Sequence, residues 1–136
     1  MKRTLAALAL LALPTLALAD TAVGLKDNMK ALGKLYKAIQ ATVGDRGQNT
    51  ANADSAGKMV VLFQAVGKQM PDSIAQLPPD QQKAALADFQ RLINEEQKLS
   101  ESLKAAFAAG DNTSAANIVN KMNLDKKEGH DKYNKE

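Results

Sequence analysis

Residues 25–43 read LKDNMKALGKLYKAIQATV. Within them Leu25, Met29, Leu32, Tyr36, Ile39 and Val43 recur in steps of 4, 3, 4, 3 and 4. An α-helix turns about 100° per residue, so these six side chains share one stripe, while Lys26, Lys30, Lys34 and Lys37 fall outside it. A strand would need strict alternation, which is absent. The stretch predicts an amphipathic helix over about 22–43, with the seam spacing of helices that pack lengthwise in a bundle.

The same step recurs outward along the chain. Gly44-Asp45-Arg46-Gly47-Gln48-Asn49 is a turn signal. Beyond it Met59, Phe63, Val66 and Met70 repeat the 4, 3, 4 pattern, giving a second helix over about 52–69. Met59 to Phe63 taken alone resembles a buried strand. Its Ala, Gln and Lys flanks, and the lack of any partner strand, favour helix. Pro71 ends that helix, and the stretch to Pro78-Pro79 is expected to be a linker. Asp80 suits a first helical turn. The third helix is predicted over about 80–109, with Leu86, Phe89, Ile93, Glu96, Leu99, Leu103 and Phe107 along its seam. Gly110 stands as its C-terminal cap. Asp111-Asn112-Thr113 opens a fourth helix over about 113–134, with Val119, Met122, Lys126, His130 and Tyr133 near one face. Four amphipathic helices with mostly short connections predict an all-α, antiparallel up-down-up-down four-helix bundle.

The first 19 residues have a different character. Lys2 and Arg3 precede an unbroken apolar run from Leu5 to Leu13, Pro14 breaks it, and Ala17-Leu18-Ala19 offers small residues before Asp20. Nine apolar residues are too few to span a bilayer, which takes about 20. The segment reads as a secretory signal peptide, leaving a domain of residues 20–136. The formal charge of the full chain is +3. It falls to +1 without Lys2 and Arg3, since all 15 acidic residues lie beyond the leader. A balance this even implies no nucleic-acid partner.

Composition removes most bond-making chemistry. There is no cysteine and a single histidine. Disulfides, covalent haem attachment through C-x-x-C-H, zinc-thiolate sites, iron–sulfur clusters and cysteine nucleophiles are excluded. No phosphate-cradling glycine motif and no H-E-x-x-H is present. The domain is expected not to be an enzyme.

Two donors stand out against this background. In an up-down-up-down bundle the start of the first helix and the end of the fourth share one end. Met29 lies about seven residues into the first helix, and His130 lies near the end of the fourth, so each is roughly 10 Å from that mouth. Each is expected to face inward, Met29 on its seam and His130 eleven residues, or about three turns, beyond Val119. Phe89, Val66 and Met70 come to the same end. One imidazole and one thioether at one level are the axial pair of a six-coordinate His/Met haem iron. Taken singly, a seam methionine such as Met59, Met70 or Met122 is ordinarily core filler, and a histidine near a helix C-terminus is ordinarily a surface residue favoured by the helix dipole. The fourth helix also loses bulk toward its end, where Lys126, Gly129 and His130 follow Val119 and Met122. A space for a large planar ligand, with the Lys126 ammonium near its acid groups, accounts for that, and so does a frayed last turn. A zinc or copper site at His130 lacks a second imidazole, and Glu128 and Asp131 do not share its helix face.

The domain resembles the cytochrome b562 family. Leu25-Lys26-Asp27-Asn28-Met29 is similar to the segment that ends in that family's axial methionine. Gly129-His130-Asp131-Lys132-Tyr133 is similar to the segment that carries its axial histidine, and Asp88-Phe89-Gln90-Arg91 to the one bearing a haem-packing phenylalanine. The spacings from Phe89 to Gly110 and from Gly110 to His130 match without gaps, while the second helix aligns loosely. The resemblance implies one non-covalent haem b, with Met29 and His130 on iron and Phe89 against the porphyrin. Leu25, Leu32, Ile93 and Lys126 line the same pocket. It implies transient redox partners, a monomer, and a periplasmic location consistent with the leader. Ile93 stands where the family has a second aromatic, and Lys126 and Asn134 stand where it has arginines, which weakens pairing with haem propionates. A rival expectation is a haem-free periplasmic binding or adaptor module, in which Met29 is plain core.

Overall fold

The computed structural model describes residues 24–133. It contains α1 (Leu25–Thr42), α2 (Asn49–Val66), α3 (Asp72–Ala75), α4 (Pro79–Ala108) and α5 (Asn112–Tyr133), with a 3-10 turn at Arg46–Gln48 leading into α2. No strand occurs among the described residues. The four long helices are those that the seam periodicity predicts, and the chain is an all-α helical bundle. The expected signal peptide, residues 1–19, and Asn134 lie outside the described residues.

The helix ends follow from local chemistry. The Asp45 carboxylate accepts the Gly47 N–H at 2.8 Å, tightening the turn so that α2 begins three residues earlier than its apolar pattern suggests. Pro79 occupies the first position of α4, where a missing N–H costs nothing. At the other end Gly110 adopts φ +71°, which a residue with Cβ resists. There the Asp111 N–H donates to Ala106 O (2.9 Å) and the Gly110 N–H to Phe107 O (3.1 Å), the two bonds of a Schellman turn. Asp111 then caps α5, accepting the Ser114 N–H at 2.9 Å.

The expected linker between the second and third helices is corrected in part. Residues 72–75 wind into α3, because Ile74 is fully buried and one helical turn carries it inward. Gln82 holds the turn in place, donating through Nε2 to Ala75 O and Leu77 O.

Close packing joins α1 to α2, α2 to α4 and α4 to α5. Ile39, Met59, Val66, Leu103, Phe107, Val119 and Met122 form the centre of the core. Each such side chain contributes about 1.5–3 kcal/mol on burial. At the end away from α3, an Asn112 amide donates to Val43 O (2.7 Å) and exchanges hydrogen bonds with Asn49, tying α1, α2 and α5 together. The pair α1 and α5 is not among the closely packed ones. These two helices are pinned at that far end and again halfway, where the Tyr36 hydroxyl donates to Val119 O at 3.1 Å.

Candidate haem site

Tyr36 and Val119 define the facing flanks of α1 and α5. Met29 precedes Tyr36 by seven residues, two turns less about 20°. His130 follows Val119 by eleven, three turns plus about 20°. The helices run in opposite directions, so both displacements lead toward the α3 end, by about 10 Å and about 16 Å respectively. Met29 and His130 thus flank the α1–α5 groove from its two sides, within about one helical turn in height.

Neither side chain is buried as the sequence suggests. Met29 is 37% exposed and His130 is also exposed. The inward position at the start of α1 belongs instead to Asn28, which is buried and donates through Nδ2 to Gln69 Oε1 at 3.2 Å. The physical reason lies in the groove: without a neighbouring helix packed against this flank of α1, a side chain off the centre of the buried stripe stays wet. Met70, expected as core, is likewise exposed at this end, whereas Met59 and Met122 are core.

Two glycines lie near these donors in sequence. Gly33 is one turn beyond Met29, and Gly129 adjoins His130. A Cβ built on either meets nothing within 4 Å. A glycine inside a helix costs about 1 kcal/mol relative to alanine, and no close contact in the structure requires either of these. The remaining expected residues lie on α1, α4 and α5. Leu32, Phe89 and Ile93 are buried and Leu25 is partly buried against the core. Ile93 turns toward α2, with Cγ2 about 3.5 Å from the Cβ position of Gly67. Lys126 is exposed, and its ammonium lies over the Tyr36 ring, 5.3 Å from the centroid. That contact bridges α1 and α5 just beneath the groove.

Tyr133 is a latch that sequence reasoning recorded only as a neighbour of the histidine. Its ring meets Phe89 edge-on, with centroids 5.6 Å apart and planes at 81°. Its hydroxyl donates to Asp88 Oδ2 at 2.5 Å, with Ala85 O 3.3 Å away, and its carbonyl accepts the Ser73 hydroxyl at 2.9 Å. The last turn of α5, which carries His130, is therefore held to α3 and α4. The Tyr133 bond, followed by that from Arg91, lowers the Asp88 pKa to about 2. Burial, and then the bond to Asp88, pushes the Tyr133 phenol up to about 12. Both effects keep the carboxylate charged and the phenol protonated at neutral pH, so the latch stays closed. The three-residue spacing from His130 was the only trace of it in the sequence.

A second concavity, about 510 Å³, opens between α2 and α4 and is lined mainly by Gln64, Lys68, Gln90, Asn94 and Gln97. It is shallow and amide-rich and offers iron no soft or imidazole donor. Among the described residues no three of His, Asp and Glu come together as a metal site, and no helix is long and apolar enough to cross a membrane.

The residues at the Met29–His130 mouth fit a haem in their chemistry: one imidazole, one thioether, the buried apolar side chains of Leu32 and Phe89, and the Lys126 ammonium one turn before His130 on α5. No curated protein and no solved structure matches the chain. The family model for cytochrome b562 matches residues 24–134, which include Met29, Phe89 and His130 together with all five helices. The chain belongs to the cytochrome b562 family, whose members are haem-binding electron carriers built as four-helix bundles.

Proposed function

We propose that this protein is a periplasmic electron carrier holding one non-covalent haem b in the α1–α5 groove, with Met29 and His130 as the axial ligands. The observation that supports the proposal is the placement of Met29 and His130 on flanks of α1 and α5 that face each other, as the Tyr36–Val119 bond between those helices fixes them. The bound group supplies the one-electron couple, and everything else falls to the chain. His130 would hold iron through a ring nitrogen, and Tyr133 fixes the turn that presents it. Met29 contributes a soft, uncharged ligand that favours the reduced metal and raises the potential. With both axial positions filled by protein, small molecules are kept off the metal, and the role is carriage rather than catalysis. Leu32 and Phe89 exclude water from the inner edge of the ring. Lys126 lies near enough to the rim to meet an acid group of the porphyrin, as a point charge rather than a bidentate partner.

A group held between the exposed Met29 and His130 would exchange electrons at the protein surface. Lys26, Lys30 and Lys37 follow one another along α1 just outside Met29, all exposed and, among the described residues, in no ion pair. A basic rim favours brief encounters with acidic redox partners, and such interfaces are small. Export through the leader, and the usual periplasmic setting of the family, support the location.

Hemin titration tests the assignment. The wild-type chain is expected to bind one equivalent and, once reduced, to show the sharp split bands of a six-coordinate haem. Met29→Ala keeps haem but opens one position to carbon monoxide, and His130→Ala loses more affinity because imidazole is the stronger donor. A chain that stays colourless and titrates no hemin would favour a haem-free binding or adaptor module.

A further inference from the structure

Glu96 occupies a seam position of α4 where a hydrophobic residue would pack. Its Oε1 is buried with no hydrogen-bond partner. The Asp125 carboxyl of α5, bonded to Lys121, lies close enough across the α4–α5 interface to raise the Glu96 pKa. Two carboxylates cannot hydrogen-bond to one another unless one of them holds a proton, and like charges this close resist ionising together. The surrounding groups leave that conflict in place. On α4, Glu95 adds negative charge. On α5, Lys121 bonds Asp125 at 2.8 Å and offsets part of the repulsion. On α1, Tyr36 directs its hydroxyl to Val119 O rather than to Glu96, and Lys126 sits over its ring. On α2, Asp54 and Lys58 pair with each other at 2.8 Å on the outer surface.

The pair lies directly beneath the groove. Glu96 is seven residues, about 10 Å, along α4 from Phe89, and Asp125 is five residues, about 8 Å, along α5 from His130. Tyr36 is at the corresponding depth below Met29 on α1. We infer that Glu96, opposed by Asp125, holds a single exchangeable proton whose affinity depends on the charge of the group bound between Met29 and His130, so that reduction of that group draws protons onto Glu96. The inference rests on the haem reading of that groove.

The balance is simple. An electron from the redox partner lowers the charge in the groove by one, and a proton from solvent adds to the ionised Glu96 carboxylate in up to about half of the molecules. Both leave on reoxidation, and no covalent bond other than O–H is made or broken. Burial first, then Asp125, holds the Glu96 pKa at about 8 in the empty chain. A porphyrin dianion leaves ferrous iron formally neutral and ferric iron with one positive charge, so the pair should titrate near that value in the reduced protein and lower in the oxidised one. One unit charge about 11 Å away, in a medium of effective dielectric constant about 20, changes proton affinity roughly tenfold. For a one-electron couple that ratio corresponds to about 59 mV.

Two measurements on the haem-loaded protein test this. Spectroelectrochemistry between pH 6 and 9 is expected to give a potential that falls by up to about 59 mV in total, spread over about three pH units. Glu96→Gln should flatten that step while binding hemin normally. Asp125→Asn should move it to lower pH, since the repulsion that holds the proton is gone. Carboxyl carbon NMR of Glu96 in the same samples should show a midpoint about one pH unit higher in the ferrous than in the ferric state. A chain that binds hemin but has equal Glu96 midpoints in both iron states, or a step that survives Glu96→Gln unchanged, overturns the inference and leaves the haem assignment standing. A chain that binds no hemin removes the assignment itself, and the Glu96 titration can still be read in its absence.

Discussion

Glu96→Gln should raise the stability of the haem-free chain at pH 8 and leave it nearly unchanged at pH 4. The sign follows from which state holds the proton more tightly. The folded pKa of Glu96 is raised from 4.5 to about 8. Below 4.5 the carboxyl is neutral in both states and the fold bears no penalty. As pH rises past that value the unfolded chain loses its proton while the folded chain keeps it, so stability falls until the folded group also ionises near pH 8. Every tenfold difference in proton affinity between the two states corresponds to about 1.4 kcal/mol, which sets an upper bound near about 5 kcal/mol. The group retains partial contact with solvent and interiors respond with an effective dielectric constant of about 20, so about 2–3 kcal/mol is the expected loss. For a domain expected to have only about 5–15 kcal/mol of total stability this is a large fraction. Glutamine keeps the shape and a hydrogen-bond donor for Asp125 but cannot ionise. Urea unfolding at a series of pH values should therefore give a wild-type midpoint that drops from about pH 4.5 to about pH 8 and a variant midpoint that drops far less. If the two curves run parallel through that window, Glu96 ionises normally in the folded protein and the reasoning from its buried oxygen is wrong.

Other outcomes follow from the same geometry. Tyr133→Phe removes the bond to Asp88, and should cost about 1–2 kcal/mol by urea unfolding, weaken hemin binding through the loosened His130 turn, and let the Asp88 carboxyl titrate closer to its ordinary value by NMR. Phe107→Ala, at a residue only 2% exposed, should destabilise by about 3–5 kcal/mol without altering the absorption spectrum of bound haem. Gly110→Ala puts a Cβ at φ +71° and should cost about 1 kcal/mol, read as a lower urea midpoint. Changing Lys26, Lys30 and Lys37 together to Gln should slow electron exchange with an acidic redox protein at low salt and have little effect at high salt, by stopped-flow spectroscopy.

The helices and their order were legible because burial imposes a period on a chain. Leu25 to Val43, and Leu86 to Phe107, each repeat apolar residues at the step that keeps one flank dry, and Gly110 with Asp111 marks a stop and a start through backbone geometry that other residues disfavour. The candidate ligands were legible as a pair for the same reason: sequence order and helix rise bring Met29 and His130 to one mouth. Periodicity has no knowledge of neighbours, however. Whether Met29 is core or rim depends on how closely α5 approaches α1. That distance is set by pins remote in sequence, Tyr36 on Val119 and Asn112 on Val43. The Tyr133–Asp88 latch joins residues 45 apart, and the Glu96–Asp125 confrontation joins two helices whose separate patterns read as ordinary seams. A repeat records which side of a helix faces inward. Which side chains then meet, and what charge they can keep there, is fixed by the three-dimensional approach of one helix to the next.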